Sequence, residues 1–251
     1  VLRIKNFNDE EFLKTHYVVF ATKQGIIKKT RLDAYKNVRA AGVIAININE
    51  GDEVVGVRLT NGHNELLLAN RNGRAVRFNE DKVRAMGRVA TGVIGMQLDG
   101  SDDEVVGMVC VNDPSIETIM VVSENGYGKR SEVEDYRKTN RGTKGVKTLA
   151  VTEKTGRLVA IKVVTDENDL MIINKSGILI RLKVADVRVM GRNTQGVRLI
   201  NLTKKNDTIA SVCKVTSSQE EDVEEAEVLN EELPADTSVD AAFETDNNNN
   251  E

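Results

Sequence analysis

Short apolar runs alternate with polar, glycine-containing turns along most of the chain. Four runs of three or four residues each precede such a turn: Tyr17–Phe20, Leu66–Leu68, Ile119–Val122 and Leu170–Ile173. The turn glycines are Gly25, Gly73, Gly126 and Gly177, spaced 48, 53 and 51 residues apart. Turns of this kind favour the positive φ angles of tight hairpins, so each run predicts a strand that folds back on itself.

A second glycine and a closing strand complete each unit. The second glycine precedes a valine and follows the turn glycine by 17 residues in the first unit and 19 in the others: Gly42, Gly92, Gly145 and Gly196. The closing strands are predicted over Glu53–Val57, Glu104–Met108, Arg157–Ile161 and Thr208–Val212. About four short strands per unit at a period near 50 indicate propeller-like blades. Helical repeats are excluded because the segments are short and alternate with period two.

The pattern predicts an all-β domain over residues 1–215. Its four repeats cover about 15–61, 64–113, 117–166 and 169–215. Leu2–Ile4 is predicted as the closing strand of an earlier unit, followed by a polar connector over residues 6–14. The N-terminus has no initiator Met and no signal-peptide pattern. We therefore expect a piece of a longer protein, in which the ring of blades is truncated at its N-terminal side.

Charge is distributed unevenly along the chain. The 251 residues carry a net charge of −4, but thirteen of the 39 acidic residues follow Lys214 and no Lys or Arg does. Residues 1–214 therefore carry 35 bases against 26 acids, a net charge of +9. Residues 216–251 lack hydrophobic periodicity and predict a disordered acidic tail. Such a tail either keeps the protein soluble or competes with DNA phosphates for the basic body.

Basic residues recur at equivalent positions of the repeats. One base stands four residues after each turn glycine, and in the last three repeats arginines stand eight and four residues before the second glycine. Equivalent positions of a radial repeat lie at equivalent places around its rim, so these bases predict a positive stripe that suits a long polyanion. The candidate DNA-binding residues are Lys28, Lys29, Arg31, Lys36, Arg39, Arg74, Arg77, Arg84, Arg88, Lys129, Arg130, Arg137, Arg141, Lys144, Arg181, Lys183, Arg188 and Arg192, led by Lys29, Arg77, Arg130 and Arg181.

The shortage of aromatic residues indicates which polyanion is bound. Single-strand binders stack bases on exposed aromatic rings, whereas only 4% of these residues are aromatic and Trp is absent. Tyr35 and Tyr136 share one repeat position with Val83 and Val187, an alternation that predicts core packing. The sequence therefore favours duplex DNA held through its phosphate backbone.

No catalytic or metal-binding constellation emerges from the sequence. His16 and His63 lie far apart, and Cys110 and Cys213 lack metal-ligand spacing, which predicts small core residues in a reducing compartment. No P-loop is present, and no apolar run is long enough to span a membrane. We expect no cofactor, no metal and no membrane partner for this chain.

Several stretches resemble one known family. They are Ala-Thr-Lys-Gln-Gly-Ile-Ile-Lys-Lys-Thr at 21–30, Arg-Ala-Met-Gly at 84–87, Asn-Gly-Tyr-Gly-Lys-Arg at 125–130 and Gly-Arg-Asn-Thr-Gln-Gly-Val at 191–197. Over roughly residues 1–215 the chain resembles the C-terminal domain of DNA gyrase A subunits.

The resemblance implies a β-pinwheel, a propeller-like disc of four-stranded blades that exchange strands and wrap duplex DNA on their rim. Wrapping in gyrase presents a DNA segment for ATP-dependent negative supercoiling, so the chain is expected to be a non-catalytic accessory domain. The catalytic Tyr, ATP and magnesium belong to other domains. Implied partners are double-stranded DNA and the remaining gyrase A and B subunits in an A2B2 assembly. The isolated domain is expected to be monomeric, and the location cytoplasmic, with the bacterial nucleoid.

Two departures from the family pattern keep alternatives open. The Gln-Arg-Arg-Gly-Gly-x-Gly box of gyrase A subunits does not occur, and Arg141–Gly145 is at most a degenerate form of it. Complete gyrase discs also have more blades than the four repeats here. The alternatives are the DNA-bending C-terminal domain of a topoisomerase IV A subunit, and a propeller-like scaffold for protein interactions.

Overall fold

The chain divides into two units, Val1–Val215 and Thr216–Glu251. A computed structural model describes residues 2, 4, 7–202 and 207–216. The predicted acidic tail therefore lies outside the described residues except for Thr216. The described part of the first unit is all-β apart from one short α-helix and four 3-10 turns, as the repeat pattern predicts.

Each repeat contributes three strands of five to seven residues, and repeats two to four also contribute a two-residue strand. The strands are β1 Tyr17–Thr22, β2 Ile26–Arg31, β3 Val54–Thr60, β4 Glu65–Asn70, β5 Arg74–Asn79, β6 Val93–Ile94, β7 Val105–Val111, β8 Thr118–Ser123, β9 Tyr127–Glu132, β10 Val146–Lys147, β11 Leu158–Val164, β12 Asp169–Asn174, β13 Leu179–Lys183, β14 Val197–Arg198 and β15 Ile209–Val215. The 3-10 helices follow β2, β5, β9 and β13 at Leu32–Tyr35, Glu80–Lys82, Val133–Asp135 and Val184–Asp186.

The predicted polar connector contains a helix, α1 (Glu10–Thr15). The Asp9 side chain accepts hydrogen bonds from the Glu11 and Phe12 N–H groups, and Leu13 is buried against the first repeat. A capping aspartate followed by acidic residues stabilises a helix start. Leu2 and Ile4, the described residues of the predicted strand 2–4, have no strand assignment and pack against the same cluster.

The hairpins form where the turn glycines predict them. Gly25 has φ +83° and its N–H donates to the Thr22 carbonyl, which closes the turn between β1 and β2. The strands pair antiparallel, with Val19 opposite Lys29. The other three repeats have the same hairpin.

Neighbouring repeats exchange strands. The sheets are ordered β3-β1-β2-β6, β7-β4-β5-β10, β11-β8-β9-β14 and β15-β12-β13. In each of the first three sheets the fourth strand is the two-residue strand of the next repeat. The last sheet has three strands among the described residues, and β13 forms its edge.

The long closing strands form the centre of the domain. β3 packs against β7, β7 against β11, and β11 against β15. Hydrophobic clusters fill the space between successive sheets, so the core is a series of interblade layers. Because the closing strands are innermost in each sheet, the exchanged strands lie at the outer edge.

We call the contact between one repeat and the strand donated by the next a strand-exchange joint. At the first joint the Gly25 carbonyl accepts hydrogen bonds from the Gly95 and Met96 N–H groups, at 2.8 and 3.1 Å. The Gly73 and Gly126 carbonyls accept the equivalent pairs at the second and third joints. A Cβ on Gly145 would lie 2.2 Å from the Ala75 carbonyl oxygen, so the donated chain needs glycine there.

The described residues include no helix long and apolar enough to cross a membrane.

Candidate nucleic-acid interface

The base four residues after the turn glycine is buried in the first three repeats. Lys29, Arg77 and Arg130 expose only 6%, 1% and 7% of their surface. They lie on β2, β5 and β9, and each points at the 3-10 turn of the next repeat. The positive stripe expected from this position therefore does not form on the rim.

Lys29, Arg77 and Arg130 each bind backbone carbonyls of the next repeat, and we call them the clamp bases. The Arg77 guanidinium donates to the Val133 and Tyr136 carbonyls at 2.8 and 3.0 Å and pairs with Glu65 at 2.6 Å. Lys29 donates to the Glu80 carbonyl at 2.8 Å. Arg130 donates to the Val187 carbonyl at 2.7 Å.

Lys28 and Lys129 are also buried and committed to interblade contacts. Lys129 donates to the Gly191 carbonyl of the next repeat at 2.8 Å. Lys28 donates to the Arg88 carbonyl of the next repeat and to the Ala45 carbonyl of its own repeat. Burial lowers the pKa of each amine to about 8. Five predicted DNA contacts are thus interior groups: Lys28, Lys29, Arg77, Lys129 and Arg130.

The equivalent base of the fourth repeat, Arg181, is not buried. Arg181, on the edge strand β13, is exposed and pairs with Asp169 at 2.6 Å. Its exposure follows from its place in the last sheet, where the described residues include no next repeat for it to clamp.

A second basic position recurs in the repeats, and its side chains are exposed. Arg84, Arg137 and Arg188 each stand eleven residues after a turn glycine, just beyond a 3-10 turn, and all are exposed. Among the described residues none of them has a hydrogen bond or ion pair. Lys36 occupies the same position in the first repeat, where it pairs with Glu10 at 2.9 Å. We call these four the junction bases.

The backbone places Arg84, Arg137 and Arg188 between neighbouring sheets. The residue after each arginine forms a parallel bridge to the clamp base of the preceding repeat: Ala85 to Lys29, Lys138 to Arg77 and Val189 to Arg130. The loop that carries the arginine therefore crosses the outer half of the preceding sheet. One exposed arginine stands at each of the three joints.

The arginines four residues before the second glycine brace the same loops. Arg141 donates to the Lys82 and Ile94 carbonyls, and Arg192 to the Asp135 and Lys147 carbonyls, at 2.9 to 3.0 Å. They are half-buried, as is Arg88. Part of their donor capacity holds the loops, and their positive charge adds to the rim.

The other predicted residues lie at or near the surface. Arg39 and Lys183 are exposed. Arg31 pairs with Asp33 at 2.7 Å, Lys144 pairs with Asp99, and Arg74 donates to the Gly145 carbonyl at 3.0 Å. These contacts leave the charges accessible at the outer part of the sheets.

Lys147 and Arg198 are not among the DNA-binding residues predicted from the sequence. Both lie on donated strands, β10 and β14, at the outermost position of a sheet, and both are exposed. Arg198 also donates to the Tyr127 hydroxyl at 2.8 Å. The signal that identifies them is their shared place two residues after the second glycine.

The described residues contain no group of three or more His, Cys, Asp or Glu side chains placed to hold a metal ion. Desolvation raises the pKa of the Cys110 thiol to about 12, so it is a thiol, not a thiolate, at neutral pH. Tyr136 is fully buried, as its alternation with valine predicts.

Comparison with known proteins identifies relatives of the whole repeat region. The family model described as "DNA gyrase C-terminal domain, beta-propeller" matches residues 16–61, 64–112, 117–165 and 168–213. The A subunit of DNA gyrase from Staphylococcus aureus (strain NCTC 8325 / PS 47) is 42% identical over 227 residues, which cover 90% of this chain and 25% of the relative. The chain thus spans about a quarter of the length of the curated relatives it matches.

Solved structures with the same fold include domains of DNA topoisomerase IV and of DNA gyrase A. A C-terminal domain of DNA topoisomerase IV superposes with a TM-score of 0.79 at 28% identity, covering 92% of this chain and 69% of that one. A DNA gyrase A C-terminal domain superposes with a TM-score of 0.71 at 26% identity, covering 82% and 68%. With a family model matching all four repeats, the chain belongs to the DNA gyrase C-terminal domain family.

Proposed function

We propose that this chain is the duplex-DNA-binding and wrapping domain of a DNA gyrase A subunit. The observation that carries the proposal is the series of junction bases, one exposed positive charge per repeat at the outer edge of successive sheets. Membership of the gyrase C-terminal domain family supports it.

The arrangement suits a polyanion whose sequence is not read. Repeated phosphate contacts release counterions and supply affinity without base readout. Bending a duplex costs energy, so contacts must recur along its path. The junction bases recur in that way, with Arg141, Arg192, Lys147 and Arg198 adding charge beside them.

A duplex is favoured over a single strand because exposed stacking rings are few. Tyr136 is buried and Tyr35 is half-buried, and Tyr127 lies beneath the side chains of Arg198 and Lys154. Sequence-tolerant single-strand binding depends on accessible aromatic faces.

In the complete enzyme, we propose that the wrapped segment is presented for ATP-dependent negative supercoiling. The partners are then the B subunit, together with the rest of the A subunit, in an A2B2 assembly in the bacterial cytoplasm. The chain itself is a non-catalytic accessory part, and the ATP, magnesium and catalytic tyrosine lie in other domains.

A second candidate is bending without chiral wrapping, as in a topoisomerase IV subunit. The superposition on a topoisomerase IV C-terminal domain, at a TM-score of 0.79, supports this second candidate. The 42% identity to gyrase A of S. aureus is the reason we place gyrase first.

Binding of a labelled duplex at several salt concentrations tests the proposal. Replacing Arg84, Arg137 and Arg188 together with Gln removes three phosphate contacts and should lower the slope of log K against log salt by about 3. The matched control replaces Lys14, Lys175 and Lys214 with Gln, because these are exposed bases outside the three joints.

An equal loss of slope in both triple variants would show that net charge alone governs binding, and would remove the junction bases from the interface. Absence of salt-dependent duplex binding by the unaltered chain would instead favour a scaffold for protein interactions.

A further inference from the structure

A cavity of about 480 Å³ lies among the innermost strands of the domain. All four closing strands, β3, β7, β11 and β15, contribute residues to its wall. Its volume falls within the range of small-molecule sites, about 300–1,000 Å³. Part of the wall is apolar, and its charged side chains among the described residues are three bases and one acid: Arg58, Lys162, Lys214 and Glu117. The cavity therefore carries an excess of positive charge.

Two of these bases occupy the same position in different repeats. Arg58 on β3, Val109 on β7 and Lys162 on β11 each lie opposite the strand residue whose other neighbour is a clamp base. β7 packs against both β3 and β11, so Arg58 and Lys162 stand on either side of a valine. Two like charges therefore face one cavity with an apolar side chain between them.

The bases of the cavity have few partners within the protein. Among the described residues, no hydrogen bond or ion pair is found for Lys162 or Lys214, and the Arg58 guanidinium donates only to the Val57 carbonyl, at 2.7 Å. One oxygen of Glu117 accepts from two backbone N–H groups of its own loop, at 2.7 and 3.0 Å. Most of the donors in the wall are thus free to bind a ligand.

This arrangement is unfavourable without a counter-charge. Arg58 and Lys162 are both half-buried. Burial, together with the neighbouring charges of Arg58 and Lys214, lowers the pKa of the Lys162 amine below its ordinary value. Charges that are withdrawn from water without partners destabilise a fold, whereas the clamp bases all bind carbonyls. An anion in the cavity would supply the missing partner.

We propose that this cavity binds a small phosphate anion of the diphosphate class between Arg58 and Lys162. A guanidinium donates to two phosphate oxygens at once, and an ammonium adds a point charge with freely rotating donors. Lys214 supplies a third positive charge at the same cavity. The site lies on the innermost strands, whereas the proposed DNA contacts lie at the outer edge, so it does not depend on DNA binding.

Calorimetric titration with sodium pyrophosphate, at constant ionic strength set with sodium chloride, is the first test. We expect saturable binding by the unaltered chain and a rise in its unfolding temperature. Lys162→Met should weaken pyrophosphate binding at least about tenfold, because a charged hydrogen-bond partner is lost. Lys162→Arg keeps the charge and should retain binding. Lys14→Met, at an exposed lysine on α1, is the matched control and should not change it.

Two further titrations show where the anion binds and which anion fits. The variant with Arg84, Arg137 and Arg188 replaced by Gln should bind pyrophosphate like the unaltered chain, because those arginines are outside the cavity. ATP presents the same diphosphate chemistry together with a flat, partly apolar base. Tighter binding of ATP than of pyrophosphate would identify a nucleotide as the ligand, and equal or weaker binding would identify the inorganic anion.

Equal pyrophosphate affinity of the unaltered chain and Lys162→Met would overturn the proposal, and so would loss of binding in the triple arginine variant. A rise in unfolding temperature no larger than sodium chloride produces at matched ionic strength would overturn it as well, since general screening would then explain the effect. Circular dichroism shows whether each variant is folded. Arg58→Met, for which we expect the same loss of binding, is the second variant at the site.

Discussion

At the scale of the residue, the same side-chain type has two roles that differ only in position. The Arg77 guanidinium lies between two repeats, with two carbonyls and Glu65 as partners. Arg84, seven residues later, is exposed, and no partner for it is found among the described residues. Arg77 is buried and hydrogen-bonded, so its charge has a structural role. Arg84 is exposed, so its guanidinium can contact a phosphate.

Replacing Arg77 with Met should destabilise the fold by about 3–5 kcal/mol, because Glu65 and two carbonyls lose their buried partner. Arg84→Met should change the free energy of unfolding by less than about 0.5 kcal/mol. Urea unfolding of both variants measures the difference. Equal effects would contradict the assignment of Arg77 as a clamp.

Lys129 predicts a pH dependence of stability. Burial lowers its pKa from 10.5 to about 8, so between these values the unfolded chain holds a proton that the native chain has lost. Stability contributed by this group therefore rises with pH across that window, by at most about 1.4 kcal/mol per pH unit.

Urea unfolding at pH 7 to 10 should show that the free energy of unfolding of the wild type increases with pH relative to that of Lys129→Met. The comparison cancels the titration of the tyrosines and Cys110. A difference between the two proteins that is constant with pH would show that the native amine titrates at its ordinary value.

At the scale of the element, the donated two-residue strands connect each blade to the preceding one. β10 is only two residues long, yet it completes a sheet of the preceding repeat. Its position depends on Gly145, where the two backbones approach closely. Gly42 has the same motif and a similar positive φ, but nothing approaches it among the described residues.

This pair of glycines allows a matched test. Gly42→Ala should cost about 1–2 kcal/mol from the positive φ alone. Gly145→Ala should cost about 1–3 kcal/mol more, because the new methyl group overlaps the Ala75 carbonyl. Unfolding of dilute protein measures both, and equal costs would contradict the close approach.

The sequence predicts the elements better than it predicts their environments. Turn glycines and apolar runs locate the hairpins because local backbone preference determines them. The burial of Arg77 is not predictable in this way, since it depends on the next repeat folding over it. A two-residue strand such as β6 likewise has too little periodicity to reveal its partner sheet, so strand exchange came only from the family resemblance.

At the scale of the whole repeat domain, one exposed base per repeat recurs along a series of sheets. The residues predicted first as DNA contacts are mostly clamps, and the outer charge comes from the positions that follow the 3-10 turns. At each joint the residue that follows the exposed arginine pairs with the buried clamp base of the preceding repeat. The packing that holds two repeats together therefore also positions the proposed phosphate contact.

The most direct test of chiral wrapping is a change in DNA linking number. A nicked plasmid is bound by the purified chain and sealed with ligase, and its topoisomers are counted. We expect a shift of one sign that grows with the amount of protein, is lost when Arg84, Arg137 and Arg188 are all replaced with Gln, and persists in the Lys14, Lys175 and Lys214 control. Tight, salt-dependent binding without any shift would contradict wrapping by this chain and indicate bending alone.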